Sequence, residues 1–424
     1  MAQFKNIKGT KDLLPHETRQ WRNIENIIHD FMELHSYGEI RTPSFEQTNL
    51  FTRGIGEDTD IVSKEMYSWI DQGGSNLTLK PELTAPAVRA YIQHHLANQS
   101  PLVRLYYLDS LFRRERPQKG RLRQFHQFGI EAFGSPYPEQ DVEVISMAYH
   151  FYKIFDLKNI TVRINSIGSS EIRPIFLNIL RESMQPYIDN LCPTCQGRLN
   201  KNALRIFDCK NPDCEKILNK YAPSILENLS DDDRVHFDTV QSLLTDIGIP
   251  YVLDKTMVRG LDYYTRTTFE ILSTTLGAQN SLCGGGRYDK LVENMGGKPT
   301  PSVGFAAGFE RLIIALGENN IGTDTADIYM VVLGTNALSC ALKIADELRK
   351  KRGLRISVET LKRSLKSQMR EANRSGAQFA IIIGEDELEN NAVIVKQMND
   401  GKQKEVPIDK LVDEFHRHHN CGCS

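Results

Sequence analysis

VRLYYLDSLF, at Val103–Phe112, and QFHQFGIEAF, at Gln124–Phe133, are the two stretches of sequence that decide the fold. Both are rich in aromatic and β-branched residues, a composition that favours β-strands. The segment between them is basic and contains Pro117 and Gly120, which interrupt regular structure. The pattern therefore predicts two strands joined by a long charged loop, the kind of segment in which binding residues commonly lie.

The sequence around this hairpin predicts a unit of mixed helices and strands. Apolar residues recur at helical spacing between Trp21 and Leu34, which indicates a packed amphipathic helix. Strand patterns return after Tyr251 and continue to Gly308, and an apolar helix is predicted at residues 309–316. Residues from about 170 to 248 are more helical and polar, and we interpret them as an insertion.

The last hundred residues have a different pattern. Strand-like and helix-like segments alternate between residues 328 and 418, which indicates a separate α/β domain around a mostly parallel sheet. A chain of 424 residues is long enough for roughly two to three domains. We predict a first domain over residues 1–322 and a second over residues 325–424.

Composition excludes several classes of protein. Hydrophobic residues make up 40% and charged residues 25% of the chain, so neither a disordered nor a membrane protein is indicated. No apolar run approaches the roughly 20 residues of a membrane span, and the first nine residues lack the apolar stretch of a secretory signal. A cytoplasmic location is expected. Because the net charge is −2, contacts with nucleic acid would depend on local basic segments.

The stretch RGLDYYT, at residues 259–265, places a guanidinium, a carboxylate and two phenols within a few residues. An arginine offers a planar fork of donors for a phosphate or carboxylate, and a tyrosine hydroxyl can donate to or accept from a ring nitrogen. The stretch therefore suits a small polar ligand. By itself it is equally compatible with a strand end that carries a surface arginine and amphipathic tyrosines.

The hairpin and a later glycine-rich strand add phosphate-binding chemistry. Arg113, at the end of one strand, can clamp an α-phosphate, and Phe125 on the returning strand can stack on a base. Gln127 and Glu131 face the same side of that strand because side chains alternate. In SVGFAAGFERL, at residues 302–312, glycines permit close approach of a ligand and an arginine follows. The alternative for the hairpin is an exposed basic loop with an aromatic inward face.

Six motifs then occur in the order expected of one enzyme family: KGTKD at 8–12, LKPELTAP at 79–86, the hairpin at 113–133, RGLDYYTRTTFE at 259–270, GGGRYD at 284–289, and the motif that contains Arg311. Together they resemble the bacterial histidyl-tRNA synthetases, which are class II aminoacyl-tRNA synthetases. The resemblance implies an α+β catalytic domain of class II type with an antiparallel sheet, a helical insertion, and a C-terminal α/β anticodon-binding domain. The chain departs from the family at Lys80 and Leu83, where arginine and glycine are common.

The resemblance also implies roles for individual residues. The ammonium and carboxylate ends of histidine would be held by Glu82, Thr84 and Gln127. The imidazole would lie among Glu131, Tyr263 and Tyr264. The catalytic pair on the α-phosphate would be Arg113 and Arg259, and ATP would be bound by Arg113, Phe125 and Arg311. The acceptor end of tRNA would meet the loop residues Arg114, Arg116, Lys119, Arg121 and Arg123.

The implied reaction has two steps. The carboxylate of L-histidine attacks the α-phosphorus of ATP, which gives histidyl-adenylate and pyrophosphate, and tRNA(His) then takes the acyl group. No protein nucleophile is needed, because positioning and electrostatic stabilisation carry the catalysis, aided by Mg²⁺ on the ATP oxygens. The resemblance implies a homodimer.

The cysteines lie in an unusual arrangement. Cys192, Cys195, Cys209 and Cys214 follow the pattern C-x2-C-x13-C-x4-C inside the predicted insertion. Four thiolates at this spacing could hold a structural Zn²⁺, and the alternative is a set of free thiols. Histidines and cysteines, which are common metal ligands, also occur between His416 and Cys423. Adventitious metal binding at a chain end is the better interpretation there.

Two other functions are open to this sequence. A non-catalytic paralogue that binds histidine and regulates ATP phosphoribosyltransferase would share much of the pattern. Such paralogues generally lose the arginine of RGLDYYT and the C-terminal domain, and this chain has Arg259 and the α/β pattern of that domain. A general RNA-binding module would not explain a pocket that contains Glu82, Glu131 and Tyr264.

Overall fold

The structure is a computed structural model that describes residues 4–56, 59–118, 120–157, 159–317 and 326–415, with the backbone alone described for 277–279. The chain forms two compact units. One contains residues 1–12 and 22–320, and the other contains residues 13–21 and 321–424. The predicted domain boundary at 322–325 and the metal-ligand types between His416 and Cys423 fall outside the described residues.

The first unit is built on a large sheet and a small one. Its strands are, in chain order, β1 (Gly38–Glu39), β2 (Phe45–Gln47), β3 (Tyr67–Ile70), β4 (Asn76–Leu79), β5 (Val103–Phe112), β6 (Gln124–Phe133), β7 (Ile160–Ser166), β8 (Tyr251–Leu253), β9 (Thr265–Ser273), β10 (Ser281–Arg287) and β11 (Ser302–Gly308). The large sheet has the order β1-β5-β6-β11-β10-β9-β7-β8, and the small sheet has the order β2-β4-β3.

The six inner strands of the large sheet are antiparallel, as predicted, and only the two edge pairs are parallel. Strands β5 and β6 have the bounds that the sequence predicted. Strand β6 lies between β5 and β11, so that Gln127 is opposite both Asp109 and Gly308. The same register places Glu131 opposite Leu105 and Gly304. Gln127 and Gly308, which are 181 positions apart in sequence, thus meet on one sheet.

The helices up to residue 316 are α1 (Pro15–Leu34), α2 (Thr48–Ile55), α3 (Thr84–Gln93), α4 (Pro138–Ile154), α5 (Ile172–Met184), α6 (Pro193–Lys201), α7 (Pro212–Tyr221), α8 (Asp231–Asp246), α9 (Leu291–Asn294) and α10 (Phe309–Leu316). Short 3₁₀ segments lie among them, and residues 61–65 form one π-helical turn. Helices α5 to α8 make up the predicted helical insertion. No helix in the described ranges is both long and apolar enough to span a membrane.

The second unit has its own sheet and core. Its elements are β12 (Ile328–Val332), α11 (Thr335–Arg352), β13 (Ile356–Val358), α12 (Leu365–Arg374), β14 (Phe379–Ile383), α13 (Glu385–Glu389), β15 (Ala392–Gln397), β16 (Gln403–Pro407) and α14 (Leu411–Glu414). The strand order is β13-β12-β14-β15-β16. Apolar faces of β12 and α11 pack together around Ile328, Met330 and Ile344.

The expectation of a mostly parallel sheet in this unit is wrong for half of its strand pairs. Strand β12 is parallel to β13 and β14, but β14 and β15 are antiparallel, as are β15 and β16. The reason is connection length, because a parallel crossover needs about a dozen residues or more. Only residues 384–391 separate β14 from β15, and a tight turn with Gly401 at φ 74° separates β15 from β16.

Candidate active site

A cavity of about 650 Å³ lies over strands β6, β9, β10 and β11 and the loop before β9. It brings together every residue that the sequence assigned to histidine, to ATP or to catalysis, which are Glu82, Thr84, Arg113, Phe125, Gln127, Glu131, Arg259, Tyr263, Tyr264 and Arg311. The cavity therefore combines buried carboxylates and phenols with the guanidinium groups of six arginines. Such a lining suits a polar ligand that carries both cationic and anionic groups.

Glu131 is held in a fixed orientation by Tyr107 and by Tyr288 of the GGGRYD motif, two tyrosines to which the sequence patterns assigned no role. Its side chain is buried, with 1% of the residue exposed. Tyr107 Oη donates a hydrogen bond to Oε1 at 2.9 Å, and Tyr288 Oη donates to Oε2. Burial raises the pKa of Glu131 to about 8, although hydrogen bonds from Tyr288, Thr84 and Tyr107 oppose that shift. Burial and the nearby charge of Glu131 raise the pKa of both phenols, so they remain donors.

Two glycines make room for the charged groups of the cavity. A side chain at Gly304 would overlap Oε2 of Glu131 and the carbonyl oxygen of Ile130. At Gly284 a side chain would overlap the guanidinium of Arg259. The small residues of β10 and β11 thus let a carboxylate and a guanidinium lie directly against the sheet.

Arg259 is paired and partly buried. Its Nη1 forms an ion pair with Glu270 on β9, and 19% of its side chain is exposed. Its guanidinium carbon lies 5.9 Å from the ring centroid of Tyr264, within the range of a cation–π contact. The carbonyl oxygen of Arg259 accepts a hydrogen bond from Arg205 Nη1 at 3.1 Å. These contacts orient the planar guanidinium group of Arg259 toward the cavity.

The tyrosines that follow Arg259 form an aromatic wall. The rings of Tyr263 and Tyr264 lie 4.7 Å apart, and the ring of Tyr263 lies 5.6 Å from that of Tyr288. Arg173 supports this wall from behind, because it donates to the carbonyl oxygens of Asp262, at 3.1 Å, and Tyr264. Burial lowers the pKa of Arg173 to about 10.

Glu82 and Thr84 lie at the start of α3. Glu82 is buried, and its two oxygens accept hydrogen bonds from the backbone nitrogens of Thr84 at 2.8 Å and Ala85 at 2.9 Å. These nitrogens are in the first turn of the helix, where backbone donors lack intrahelical partners. Burial raises the pKa of Glu82, while the same hydrogen bonds and the charge of Arg113 act to lower it.

Arg113 and Arg311 are far apart in sequence, and both reach the cavity. Arg113 Nε donates to the carbonyl oxygen of Pro81 at 2.8 Å, and its guanidinium carbon lies 5.1 Å from the ring centroid of Phe125. Arg311 Nη1 donates to the carbonyl oxygen of Ser281 at 2.7 Å. The backbone contacts fix both guanidinium groups while leaving other donors for a phosphate.

Comparisons with known proteins give the family. A family model described as histidyl-tRNA synthetase matches residues 9–173 and 203–312, and one described as anticodon binding domain matches residues 313–418. The histidine–tRNA ligase of Moorella thermoacetica is 47% identical over 409 residues, which cover 96% of each chain. That of Halothermothrix orenii is 46% identical and covers 97% of this chain and 98% of its own. The chain belongs to the histidyl-tRNA synthetase family.

Solved structures agree with this assignment. The crystal structure of the apo histidyl-tRNA synthetase of S. aureus has a TM-score of 0.81 and 37% sequence identity, with 97% of this chain and 100% of that chain covered. The predicted family, the class II fold and the predicted enzyme class, an aminoacyl-tRNA synthetase, are confirmed. The regulatory paralogue is not favoured, since the ligases match over nearly their full length and the anticodon-binding domain is present.

The loop between β5 and β6 is only partly at the cavity. Arg121 lines it, whereas Arg114 and Arg116 are exposed and Lys119 lies outside the described residues. The backbone nitrogen of Arg123 donates to the carbonyl oxygen of Gly9 at 2.7 Å. The N-terminal KGTKD motif therefore packs against the base of this loop, a contact that sequence order alone could not indicate.

The two departures from the family pattern have structural explanations. The Lys80 side chain is fully buried, and its Nζ contacts Asp109 Oδ2 at 2.5 Å and the carbonyl oxygen of Thr42 at 3.0 Å. Leu83 is buried beside Tyr107 and Leu111, and its φ of −115° is accessible to any residue. Glycine is therefore not required at position 83, and the Lys80 ammonium group is paired within the fold and does not line the cavity.

The four cysteines of the insertion converge. Their Sγ atoms all lie within 4.8 Å of one another, and those of Cys192 and Cys209 are 3.8 Å apart. Cys195, Cys209 and Cys214 are buried, and Cys192 is half-buried. Within the described ranges this is the one group of cysteine, histidine or acidic side chains that is arranged to hold a metal ion.

Proposed function

We propose that this cavity binds L-histidine through its imidazole at Glu131 and Tyr264. The observation that carries the proposal is the orientation of Glu131, which Tyr107 and Tyr288 fix at the base of an arginine-lined cavity. An imidazole can donate to this carboxylate and interact with the phenol through its second nitrogen. An amino acid without such a ring would leave buried polar groups unpaired, which disfavours its binding.

The other end of histidine would lie near α3. The Glu82 carboxylate, fixed by two backbone nitrogens, would attract the α-ammonium group, and Thr84 and Gln127 would complete the contacts. This arrangement would direct the histidine carboxylate toward the guanidinium groups of Arg113 and Arg259.

The chemical step would be formation of histidyl-adenylate. A histidine carboxylate oxygen forms a bond to the α-phosphorus of ATP, and the bond to pyrophosphate breaks. Arg113 and Arg259 would stabilise the charge that develops on the α-phosphate, and Phe125 and Arg311 would help to bind ATP. The chain supplies positioning and positive charge, so no side chain has to act as a nucleophile.

Mg²⁺ fits this proposal as the partner of the ATP phosphates. The carboxylates of Glu115, Glu270 and Glu310 line the same cavity and offer the oxygen ligands that this ion prefers. When bound, the ion would neutralise phosphate charge. The residues of the chain would still bring the histidine carboxylate and the α-phosphate together.

The second half-reaction would transfer the histidyl group to the terminal ribose of tRNA(His), with AMP as the leaving group. The acceptor end would meet Arg114, Arg116, Lys119, Arg121 and Arg123, and the second unit would contact the anticodon region, as its family description suggests. A homodimer and a cytoplasmic location complete the proposal. Sedimentation that shows only monomer at assay concentrations would contradict the dimer.

Histidine-dependent exchange of labelled pyrophosphate into ATP tests the first half-reaction. We expect exchange with L-histidine and background with the other amino acids, and then charging of tRNA(His) by the same preparation. Exchange that does not depend on histidine would contradict the assigned substrate. Exchange without charging would place the error in the tRNA half of the proposal.

For the insertion, we propose a structural Zn²⁺ held by Cys192, Cys195, Cys209 and Cys214. Thiolates about 2.3 Å from a tetrahedral zinc ion lie about 3.8 Å from one another, which matches the 3.8 Å between Cys192 and Cys209. Elemental analysis of protein prepared without chelator should find one zinc per chain, lost in Cys195→Ser and kept in Cys340→Ser. Equal zinc in both variants would assign the metal to another place.

A further inference from the structure

The four-cysteine cluster and the substrate cavity share one segment of chain. Helix α6 carries Cys195, the 3₁₀ segment Ala203–Asp208 follows it, and Cys209 comes directly after that segment. Between and beside these cysteines, Arg198, Arg205, Asp208 and Lys210 line the cavity. The insertion is therefore one wall of the cavity that contains Arg259.

Two side chains of this wall hold the loop that follows Arg259. Arg205 Nη1 donates to the carbonyl oxygen of Arg259 at 3.1 Å, and Asn202 Nδ2 donates to Asp262 Oδ1 at 2.9 Å. Both ends of the stretch 259–262 are thus attached to the insertion. Since Glu270 pairs with the Arg259 side chain, the backbone contact from Arg205 and the ion pair together fix the guanidinium.

Arg205 itself is held by the same wall. Its Nη1 pairs with Asp208 Oδ2 at 2.9 Å, and its carbonyl oxygen accepts a hydrogen bond from Arg198 Nη1 at 2.9 Å. Its Nη2 lies 3.8 Å from Asp60 Oδ2, and 15% of its side chain is exposed. Arg205 is therefore a bridge between the insertion, the loop at Asp60 and the backbone of Arg259.

The cysteines contribute to the position of the wall, together with the apolar contacts that bury Leu199, Ile206 and Leu218. The wall consists of two short helices, Pro193–Lys201 and Pro212–Tyr221, with 9 and 10 residues, and the 3₁₀ segment between them. Helices of this length are marginal in water unless tertiary contacts hold them. The four sulfurs join all three elements at one point, and metal binding at such a point contributes directly to local folding.

We infer that the metal-binding cysteine cluster controls histidine activation through Arg205, which acts as a positioning residue for Arg259. The inference rests on the proposed function. Loss of the metal would free Asp208 and Arg205, the stretch 259–262 would lose its outer attachment, and the α-phosphate would be less well positioned in the transition state. The effect belongs to the first half-reaction and needs no tRNA.

Pyrophosphate exchange by the full chain tests this with Arg205→Ala, Arg205→Lys and a matched control, Lys216→Ala, whose exposed ion pair with Asp213 lies on α7 away from the cavity. Arg205→Ala should lower kcat roughly tenfold to a hundredfold, the range expected when a reacting group is misplaced, with little change in the KM for ATP. Arg205→Lys should recover part of the loss, and Lys216→Ala should match the wild type. A kcat for Arg205→Ala equal to that of the control overturns the inference.

The metal is tested separately. Wild type treated with chelator and then desalted should lose exchange in excess Mg²⁺ and regain it with added Zn²⁺, whereas Arg205→Ala should show little further loss or recovery. If chelator treatment lowered the exchange rate of Arg205→Ala by the same factor as that of the wild type, the cluster would not act through Arg205. That result would overturn the inference. An untreated wild type without histidine-dependent exchange would instead refute the proposed function. Full exchange by a wild type that contains no zinc would refute the proposed role of the metal.

Discussion

Glu131 is a carboxyl group whose burial opposes ionisation. Its pKa is about 8 in the folded protein and 4.5 in its ordinary state, so the folded protein retains a proton that the unfolded chain releases between these values. Stability from this group is complete below about pH 4.5 and is lost as the pH rises towards 8, at about 1.4 kcal/mol per pH unit. Glu131→Gln should lack this slope. Denaturant unfolding of both proteins from pH 5 to 9 measures the difference.

The difference between the two proteins should level off above pH 8, and equal slopes throughout would contradict the raised pKa of Glu131. The same variant tests specificity. Glutamine keeps the size of the side chain but replaces one acceptor oxygen with an amide donor, so the imidazole loses an acceptor and KM for histidine should rise more than KM for ATP. Equal increases in both KM values would remove Glu131 from histidine recognition.

Arg259 offers a test of the catalytic step at a single guanidinium. Arg259→Ala removes a charge that the proposal places on the α-phosphate, so transition-state stabilisation should fall by about 2 to 4 kcal/mol, as on loss of an oxyanion donor. Pyrophosphate exchange measures the loss as kcat/KM. Arg259→Lys keeps the charge without the planar fork and should recover little. Arg163→Ala, which breaks an ion pair between Arg163 on β7 and Asp254 directly after β8, serves as the control. Wild-type rates in Arg259→Ala would refute the role.

At the scale of elements, local sequence patterns predicted the bounds of individual strands and helices. The strands β5 and β6 and the helix α10 have the predicted bounds, and β11 ends at Gly308 as predicted, because each has a continuous apolar or aromatic run that turn residues interrupt. The expectation of a mostly parallel sheet in the second unit was wrong at β15, which is antiparallel to both of its neighbours. Alternation of segments does not state the direction of a strand, whereas the short connections do.

The partners of Glu131 could not be found in this way. Tyr107 lies on β5 opposite Gly129, and Tyr288 follows β10, so both reach Glu131 only through the register of neighbouring strands. Register depends on pairings between distant segments and is not stated by any one of them. The signals that were present are Tyr288 in the GGGRYD motif and the small residue at 129, where a Cβ would lie 2.9 Å from Tyr107 Oη.

Strand β11 provides a test of this packing. Gly304→Ala would bring a methyl group against Oε2 of Glu131 and the carbonyl oxygen of Ile130, so β6 and β11 would have to separate or Glu131 would have to move. We expect destabilisation of about 1 to 3 kcal/mol, as for overpacking, and a higher KM for histidine. Gly197→Ala is the control, because position 197 is exposed in α6 with open space around it and alanine favours a helix. A neutral Gly304→Ala would show that this strand contact is not tight.

At the scale of the molecule, the net charge of −2 means that affinity for tRNA has to come from local basic segments and not from the chain as a whole. The loop between β5 and β6 is such a segment, and Arg116 is exposed on it. Each basic side chain that contacts a phosphate contributes about one to the slope of log K against log salt, so removing it makes that slope shallower by about one. Arg116→Ala should therefore weaken tRNA binding and reduce the slope of log K against log salt by about one. Lys153→Ala, an exposed charge on α4, changes the net charge equally and should leave the slope unchanged. A similar reduction in both variants would mean that overall charge, and not this loop, attracts the RNA.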